Sequence, residues 1–260
     1  MKKIVILVLL LCSLSLLALK LPEEPVAYDS ELNPIYQVDA GEIQVGFQVL
    51  GEGEPLLLLM GLGGTMMNWP KTVIDMLSYE YQVILMDNRG MGFSTDRDKP
   101  FTYDMLSEDV IAFMDAIELE KAHMLGYSMG SMFIQYLLIY HPERVDRAIL
   151  NATAIDTTHT LENLYQYANA ELPTQGPVKK QLDIVVDWQV NPEVFKAVEN
   201  KVLLIHGKSD NIIEPENALE LAGVFDNCWL VFFEDNTHYL MYENPVDFAY
   251  VCLDFLRHKR

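Results

Sequence analysis

The sequence predicts an α/β architecture, a mainly parallel sheet with helices on both faces, on three observations. Short runs such as "PLLLLMG" (55–61), "YQVILMD" (81–87) and "KVLLIHG" (201–207) are apolar almost throughout, as strands covered on both faces must be. Between such runs lie stretches with apolar residues at helical spacing, among them Met105, Val110, Ile111, Phe113, Met114 and Ile117. Strands that alternate with helices need crossover connections, and these make neighbouring strands parallel. Finally, half of the 260 residues are hydrophobic, enough for one large core.

In chain order, "IYQVDA" and "EIQVGFQVLG" alternate apolar and polar residues on either side of Gly41 and read as a hairpin. "PLLLLMG" follows as a buried strand, then a helix near 67–78, then "YQVILMD" and the turn-rich "NRGMGFSTDRDKP". Thr102 is placed to cap the next helix, 103–117. "KAHMLGYS" is a short strand running directly into a serine, and "MGSMFIQYLLIYHPE" is an apolar helix stopped by Pro142. "VDRAILNATA" is the next strand. The alternation lapses over 156–199, which is polar and proline-containing. It resumes with "KVLLIHG", a helix near 214–224, the strand "CWLVFFED" (228–235) and a last helix. This reading has eight strands, with a short insertion after the sixth.

At the other end, Lys2 and Lys3 precede an apolar run from Ile4 to Leu19, closed by Lys20 and Pro22. That pattern fits a secretory signal over 1–20, or an uncleaved membrane anchor. The expected location is accordingly exported, with the folded domain over 30–260. A net charge of −20 repels nucleic acid and anionic headgroups, so neither is an expected partner. Cys228 and Cys252 could pair in an exported protein. One starts a strand and the other lies mid-helix, which favours two free thiols, and their spacing offers no metal site.

"GYSMGS" (126–131) holds Ser128 where strand becomes helix, with Gly126 and Gly130 as the small neighbours such a sharp turn requires. The turn would lift the hydroxyl to the carboxyl end of the sheet and aim the Met129 amide at a developing oxyanion. A serine hydroxyl needs a base, and the base an orienting acid. Asp210 in "HGKSDNIIEP" and His238 in "EDNTHYLMYENP" each follow a buried strand, giving the order Ser, Asp, His. Asp156, after the sixth strand, is an alternative acid.

At these residues the chain resembles the α/β-hydrolase family over roughly 34–258. "LLLLMGLGGTMMNW" is similar to its oxyanion loop, "MDNRGMGFS" to its arginine-glycine turn, "MLGYSMGSM" to its nucleophile elbow, "HPERV" to its post-elbow segment and "LLIHGKSDNIIEP" to its acid loop. The resemblance implies Ser128 as nucleophile, His238 as base and then acid, Asp210 as its partner, and the amides of Leu62 and Met129 as the oxyanion hole. It implies no metal or organic cofactor. Met60-Gly61 replaces the usual His-Gly, Thr237 replaces a glycine before the catalytic histidine, and 156–199 is a small lid.

Met66, Trp69 and Met91 are expected to line an apolar acyl pocket. His206 is expected to brace the acid loop, and Asp87, Asn88 and Arg89 to organise the turn beneath the site. The reading that follows is an exported serine hydrolase acting on a small carboxylic ester. Thioester, lactone, carbon–carbon bond or N-terminal peptide hydrolysis, and a non-catalytic ligand-binding role, are its alternatives.

Overall fold

The computed structural model describes residues 19–168 and 172–258. The strands are β1 (Ala27–Tyr28), β2 (Pro34–Ala40), β3 (Ile43–Leu50), β4 (Glu54–Leu59), β5 (Tyr81–Met86), β6 (Ala122–Tyr127), β7 (Val145–Asn151), β8 (Lys201–Gly207) and β9 (Cys228–Phe233). The helices are α1 (Lys71–Ser78), α2 (Tyr103–Ala116), α3 (Met129–Tyr140), α4 (Thr160–Ala168), α5 (Gly176–Val185), α6 (Glu216–Ala222), α7 (Leu240–Glu243) and α8 (Pro245–Arg257). One sheet of nine strands runs β1-β2-β3-β5-β4-β6-β7-β8-β9. The two-residue β1, antiparallel to β2, is the strand beyond the eight expected. It is too short to leave a periodic signal.

The chain passes from β4 to β5 on one side, then returns to lay β6 on the other side of β4. Strand order therefore reverses at β4. The region beyond the carboxyl ends of β4 and β6 is thus the usual place for a ligand in an open α/β sheet. The register of these two strands pairs Leu59 with Gly126, so the loops after both strands start side by side.

Parallel strands with helices on both faces carry apolar residues at successive positions. In β4, Leu57 and Leu59 face a core that includes Phe113, Phe133 and Ile134 of α2 and α3, whereas Leu56 and Leu58 face one that includes Val73 and Leu77 of α1 and Phe248 of α8. Truncating any of these leucines to alanine costs about 2–5 kcal/mol. Thr102 accepts the Met105 N–H at 3.1 Å and caps α2.

Between β7 and β8 the polar stretch folds into α4 and α5 and a 3-10 turn (Pro192–Ala197). It is fastened to the sheet by a small cluster of Trp188, Met132, Ala154, Ile212 and Ile213, and the Trp188 indole donates to the Ala154 carbonyl at 3.0 Å. Met132 is thus core. Most of the expected signal or anchor lies outside the described residues. Leu19 packs on the core, and the Lys20 amide donates to the Ile117 carbonyl at 3.0 Å. Among the described residues no helix is long and apolar enough to cross a membrane. Cys228 and Cys252 are free thiols; burial pushes the Cys228 pKa up to about 12.

Helix α3 packs closely on β4 at Gly130, where a Cβ would stand 2.1 Å from the Leu59 carbonyl oxygen. A Gly130→Ala variant must drive α3 away from β4. It is expected to lose about 2–3 kcal/mol and about 4–12 °C in melting temperature, measured by thermal unfolding.

Candidate active site

Ser128 joins β6 to α3 with φ 51° and ψ −120°, a conformation that costs a non-glycine residue about 1–3 kcal/mol. Three hydrogen bonds hold it. Its N–H donates to the Asn151 carbonyl at 2.8 Å, and its own carbonyl accepts the Ser131 N–H at 2.8 Å and the Ser131 hydroxyl at 2.5 Å. Gly126 gives the room: a Cβ there would meet the Ser131 backbone at 2.5 Å.

The serine hydroxyl lies 3.1 Å from His238 Nε2, and His238 Nδ1 lies 2.8 Å from Asp210 Oδ2. Asp210 can only accept, so Nδ1 carries the proton and Nε2 is left to accept from the serine. The structure therefore brings together the three residues expected to form the triad. The other Asp210 oxygen takes the amides of Ile212 and Ile213, each at 2.9 Å.

His206, fully buried in β8, sets its Nε2 3.2 Å from Asp210 Oδ2 and 2.9 Å from the Ile213 carbonyl. Both neighbours are acceptors, so that nitrogen carries the proton. Burial alone would raise the Asp210 pKa. The charge of His238 and the hydrogen bonds from His206 and His238 outweigh it and hold the carboxyl well below the usual range. Asp156 is exposed and spends its carboxylate on Thr158, and Asp235 is exposed.

The loop after β4 passes directly over the serine. A Cβ on Gly61 would stand 3.2 Å from Ser128 Cβ and 3.1 Å from the Tyr127 carbonyl oxygen. Leu62 follows. Met129 supplies the first N–H of α3, which has no acceptor inside the helix and lies at its positive end.

A buried network fixes this loop. Asn88 Nδ2 donates to the Met60 carbonyl at 2.9 Å. The Asp87 carboxylate takes the amides of Met66 at 2.7 Å and Phe93 at 2.8 Å. Arg89 binds Asp109 in a two-pronged pair at 2.7 and 2.6 Å. These three residues hold loops together, as the sequence suggested. Because Asn88 holds the Met60 carbonyl, the loop is braced without a side chain from residue 60.

Met66, Trp69 and Met91 are buried. Met66 and Trp69 belong to the core beneath β4 and border a cleft of about 540 Å³ whose lining includes Asp29, Gln48 and Lys71 but no triad residue. Met91 sits inside its turn, its amide donating to the Asn88 carbonyl at 2.9 Å. The rings that surround His238 are instead Tyr127, at 5.3 Å between centroids, and Tyr239, at 5.8 Å.

Glu243 is a residue without a sequence signal. Its carboxylate takes the Thr237 amide at 2.9 Å, the Thr237 hydroxyl at 2.6 Å and the Asn236 side-chain amide at 3.0 Å. It ties the histidine loop to α7. The threonine in the glycine's place is used as a ligand of that carboxylate.

A sequence-family model described as the alpha/beta hydrolase fold matches residues 54–178. An alpha/beta hydrolase fold protein from Chitinophaga pinensis superposes with a TM-score of 0.79 at 20% identity, covering 86% of this chain and 98% of that one. The chain belongs to the α/β-hydrolase fold family. Among curated relatives of this hydrolase, the 2-hydroxy-6-oxo-6-(2'-aminophenyl)hexa-2,4-dienoic acid hydrolase of Metapseudomonas resinovorans is 25% identical over 84% of this chain and 89% of the relative. The 3-oxoadipate enol-lactonase 2 of Acinetobacter baylyi is 32% identical over 44% of this chain and 43% of its own length.

Two outcomes test this geometry. Asp210→Asn should slow labelling of Ser128 by a fluorophosphonate probe roughly 10⁴-fold, because an amide stabilises the wrong imidazole tautomer. The second concerns acid stability. A carboxyl whose folded pKa is depressed contributes stability that is complete above its unfolded value, about 4, and that is lost as pH falls toward the folded value. Removing the His206 hydrogen bond raises the folded pKa. In His206→Phe the midpoint of acid unfolding, followed by circular dichroism, should therefore move to higher pH.

Proposed function

We propose that this hydrolase is a serine enzyme that cleaves a bond beside a carbonyl in a small, uncharged oxo compound, through an acyl-enzyme. The observation that carries the reading is the unbroken relay from Ser128 Oγ through His238 to Asp210, and we take the Leu62 and Met129 amides as the oxyanion hole. His238 takes the serine proton as Oγ attacks the carbonyl carbon, and the two amides receive the oxyanion. On collapse the leaving group departs with the bonding electron pair and takes the proton from His238. Water then attacks the acyl group, with His238 again as base.

The relative that aligns over most of both chains supports a carbon leaving group, ahead of the simple ester expected from sequence. A 2-hydroxy-6-oxo-dienoic acid has no ester or amide, so its hydrolysis breaks a carbon–carbon bond. A carbon leaving group departs only if its electron pair spreads onto a conjugated carbonyl, which restricts the substrate to oxo compounds. The relative named as an enol-lactonase supports acyl–oxygen cleavage in the same site.

The charge preference comes from this chain. No arginine occurs between Arg147 and Arg257. The lysines of α5 are both engaged, Lys179 with Asp183 and Lys180 with Asp96 at 2.8 Å. With a net charge of −20, the surroundings oppose an anionic substrate.

Wild type and Ser128→Ala would be assayed with 2-hydroxy-6-oxo-6-phenylhexa-2,4-dienoate, its methyl ester, a lactone and p-nitrophenyl butyrate, the dienoates by loss of their visible absorbance. All activity should vanish in Ser128→Ala, and kcat/KM for the methyl ester should exceed that for the free acid about tenfold. Turnover of the p-nitrophenyl ester alone would restore the simple-ester reading. Activity that survives in Ser128→Ala would remove the serine mechanism.

A further inference from the structure

Helix α5 lies against the loop that carries the Leu62 amide. Two of its residues, one turn apart, reach Gly63. Val178 Cγ1 would stand 3.2 Å from a Cβ on that glycine, and Gln181 Oε1 accepts the Gly63 N–H at 2.8 Å. That bond fixes the side-chain amide, because the atom facing an N–H must be the oxygen. The other amide atom, Nε2, carries two N–H donors. Gln181 is fully buried, yet among the described residues Nε2 meets no acceptor.

Buried donors are nearly always satisfied, and one that is not asks for a reason. The bond to Gly63 accounts for Oε1 and leaves Nε2 without a partner among the described residues. The position of the group suggests the reason. It belongs to a helix packed on Gly63, and the same amide is bonded to the loop that passes over Ser128. Nε2 is shut off from solvent, so an acceptor for it is one that a bound substrate would bring. The nearest lysine in sequence, Lys180, is held by Asp96, so the unmet valence here is that of a neutral donor.

We propose that Gln181 reads the substrate: its Nε2 donates to an oxygen that the substrate carries in addition to the carbonyl attacked by Ser128. The substrate class is then acyl compounds with a second, uncharged oxygen acceptor, keto or hydroxyl, near the reacting carbon. Oε1 meanwhile holds the oxyanion loop in place, so one side chain couples recognition of that second oxygen to the position of the Leu62 amide. The inference rests on the serine-hydrolase reading given above.

The test compares ethyl pyruvate, ethyl acetoacetate and ethyl levulinate with ethyl butanoate, followed by pH-stat, in wild type, Gln181→Glu and Gln181→Met. Each oxo ester is expressed as a ratio of kcat/KM to ethyl butanoate in the same variant, which cancels the titration of the triad and any general damage. Glutamate keeps an acceptor for Gly63 and, when ionised, turns the donor into an acceptor. At high pH its ratio for at least one oxo ester should fall roughly 10- to 100-fold below wild type. The ratio should recover as pH falls and the carboxyl protonates, since its O–H then donates. Methionine should give a low ratio at every pH.

Equal losses on all four esters would leave the ratios at wild-type values. Gln181 would then be a structural clamp, and the inference would be overturned. It would also be overturned if wild type showed no turnover of any oxo ester while a fluorophosphonate still labelled Ser128. Absence of both turnover and labelling would instead overturn the serine-hydrolase reading on which it stands.

Discussion

Ser128 holds its backbone at φ 51° and ψ −120°, and the architecture of this hydrolase can be read as what makes that conformation tolerable. A strand must end and a helix begin within one residue. The helix therefore starts so close to the sheet that Gly130 lies against the Leu59 carbonyl. That approach is possible only beside β4, where strand order reverses and the adjoining loop turns aside. The same loop then has nowhere to go but over the serine, which puts Gly61 against Ser128 and the Tyr127 carbonyl. Asn151 of β7 supplies the carbonyl that anchors the strained residue, and β8 and β9, laid on in order, deliver Asp210 and His238 to the same end of the sheet. The local strain and the global topology are one constraint seen at two scales.

Asp87, Asp109 and Asp210 are buried carboxylates near this constraint, and each is neutralised differently. Asp109 faces a guanidinium, Asp87 accepts two backbone amides, and Asp210 accepts two amides and two histidines. The first two arrangements are closed: their partners lead back into structure. Only Asp210 has a partner, His238, whose far nitrogen is left for a hydroxyl that is partly open to solvent. A carboxylate held ionised below such a histidine stabilises the imidazolium that forms when a proton arrives.

The parts legible in sequence were those set by short-range pattern. Continuous apolar runs located β4, β5 and β8 because both faces of those strands are buried. Gly126, Ser128 and Gly130 announced the turn because its steric demands act over five residues, and the order of Ser128, Asp210 and His238 followed from strand alternation. The parts missed depend on contacts between residues far apart in the chain. Gln181 lies 118 positions from Gly63, and nothing near either predicts the meeting. Glu243 reads as one more acid in an acidic chain. Met66 and Trp69 follow the oxyanion loop closely enough to suggest a pocket. Whether they face the site or the core, however, is decided by Asp87 pulling the Met66 amide inward. The bond to be cleaved was left open between an ester and its alternatives for a related reason: the triad reports how a carbonyl is attacked, and says little about what leaves.

The position of Lys20 has a practical meaning. The Lys20 amide is bonded to Ile117, at the end of α2 that leads into the start of β6, whereas Ser128 stands past the other end of that strand. Six residues of extended chain, about 20 Å, separate the two levels. A resin bead or other support coupled at Lys20 itself therefore adjoins the base of the sheet. Ser128 stands at the opposite end of the sheet, half-buried. A protein immobilised through Lys20 would keep its site unobstructed and would meet dissolved molecules more readily than those embedded in the surface that holds it.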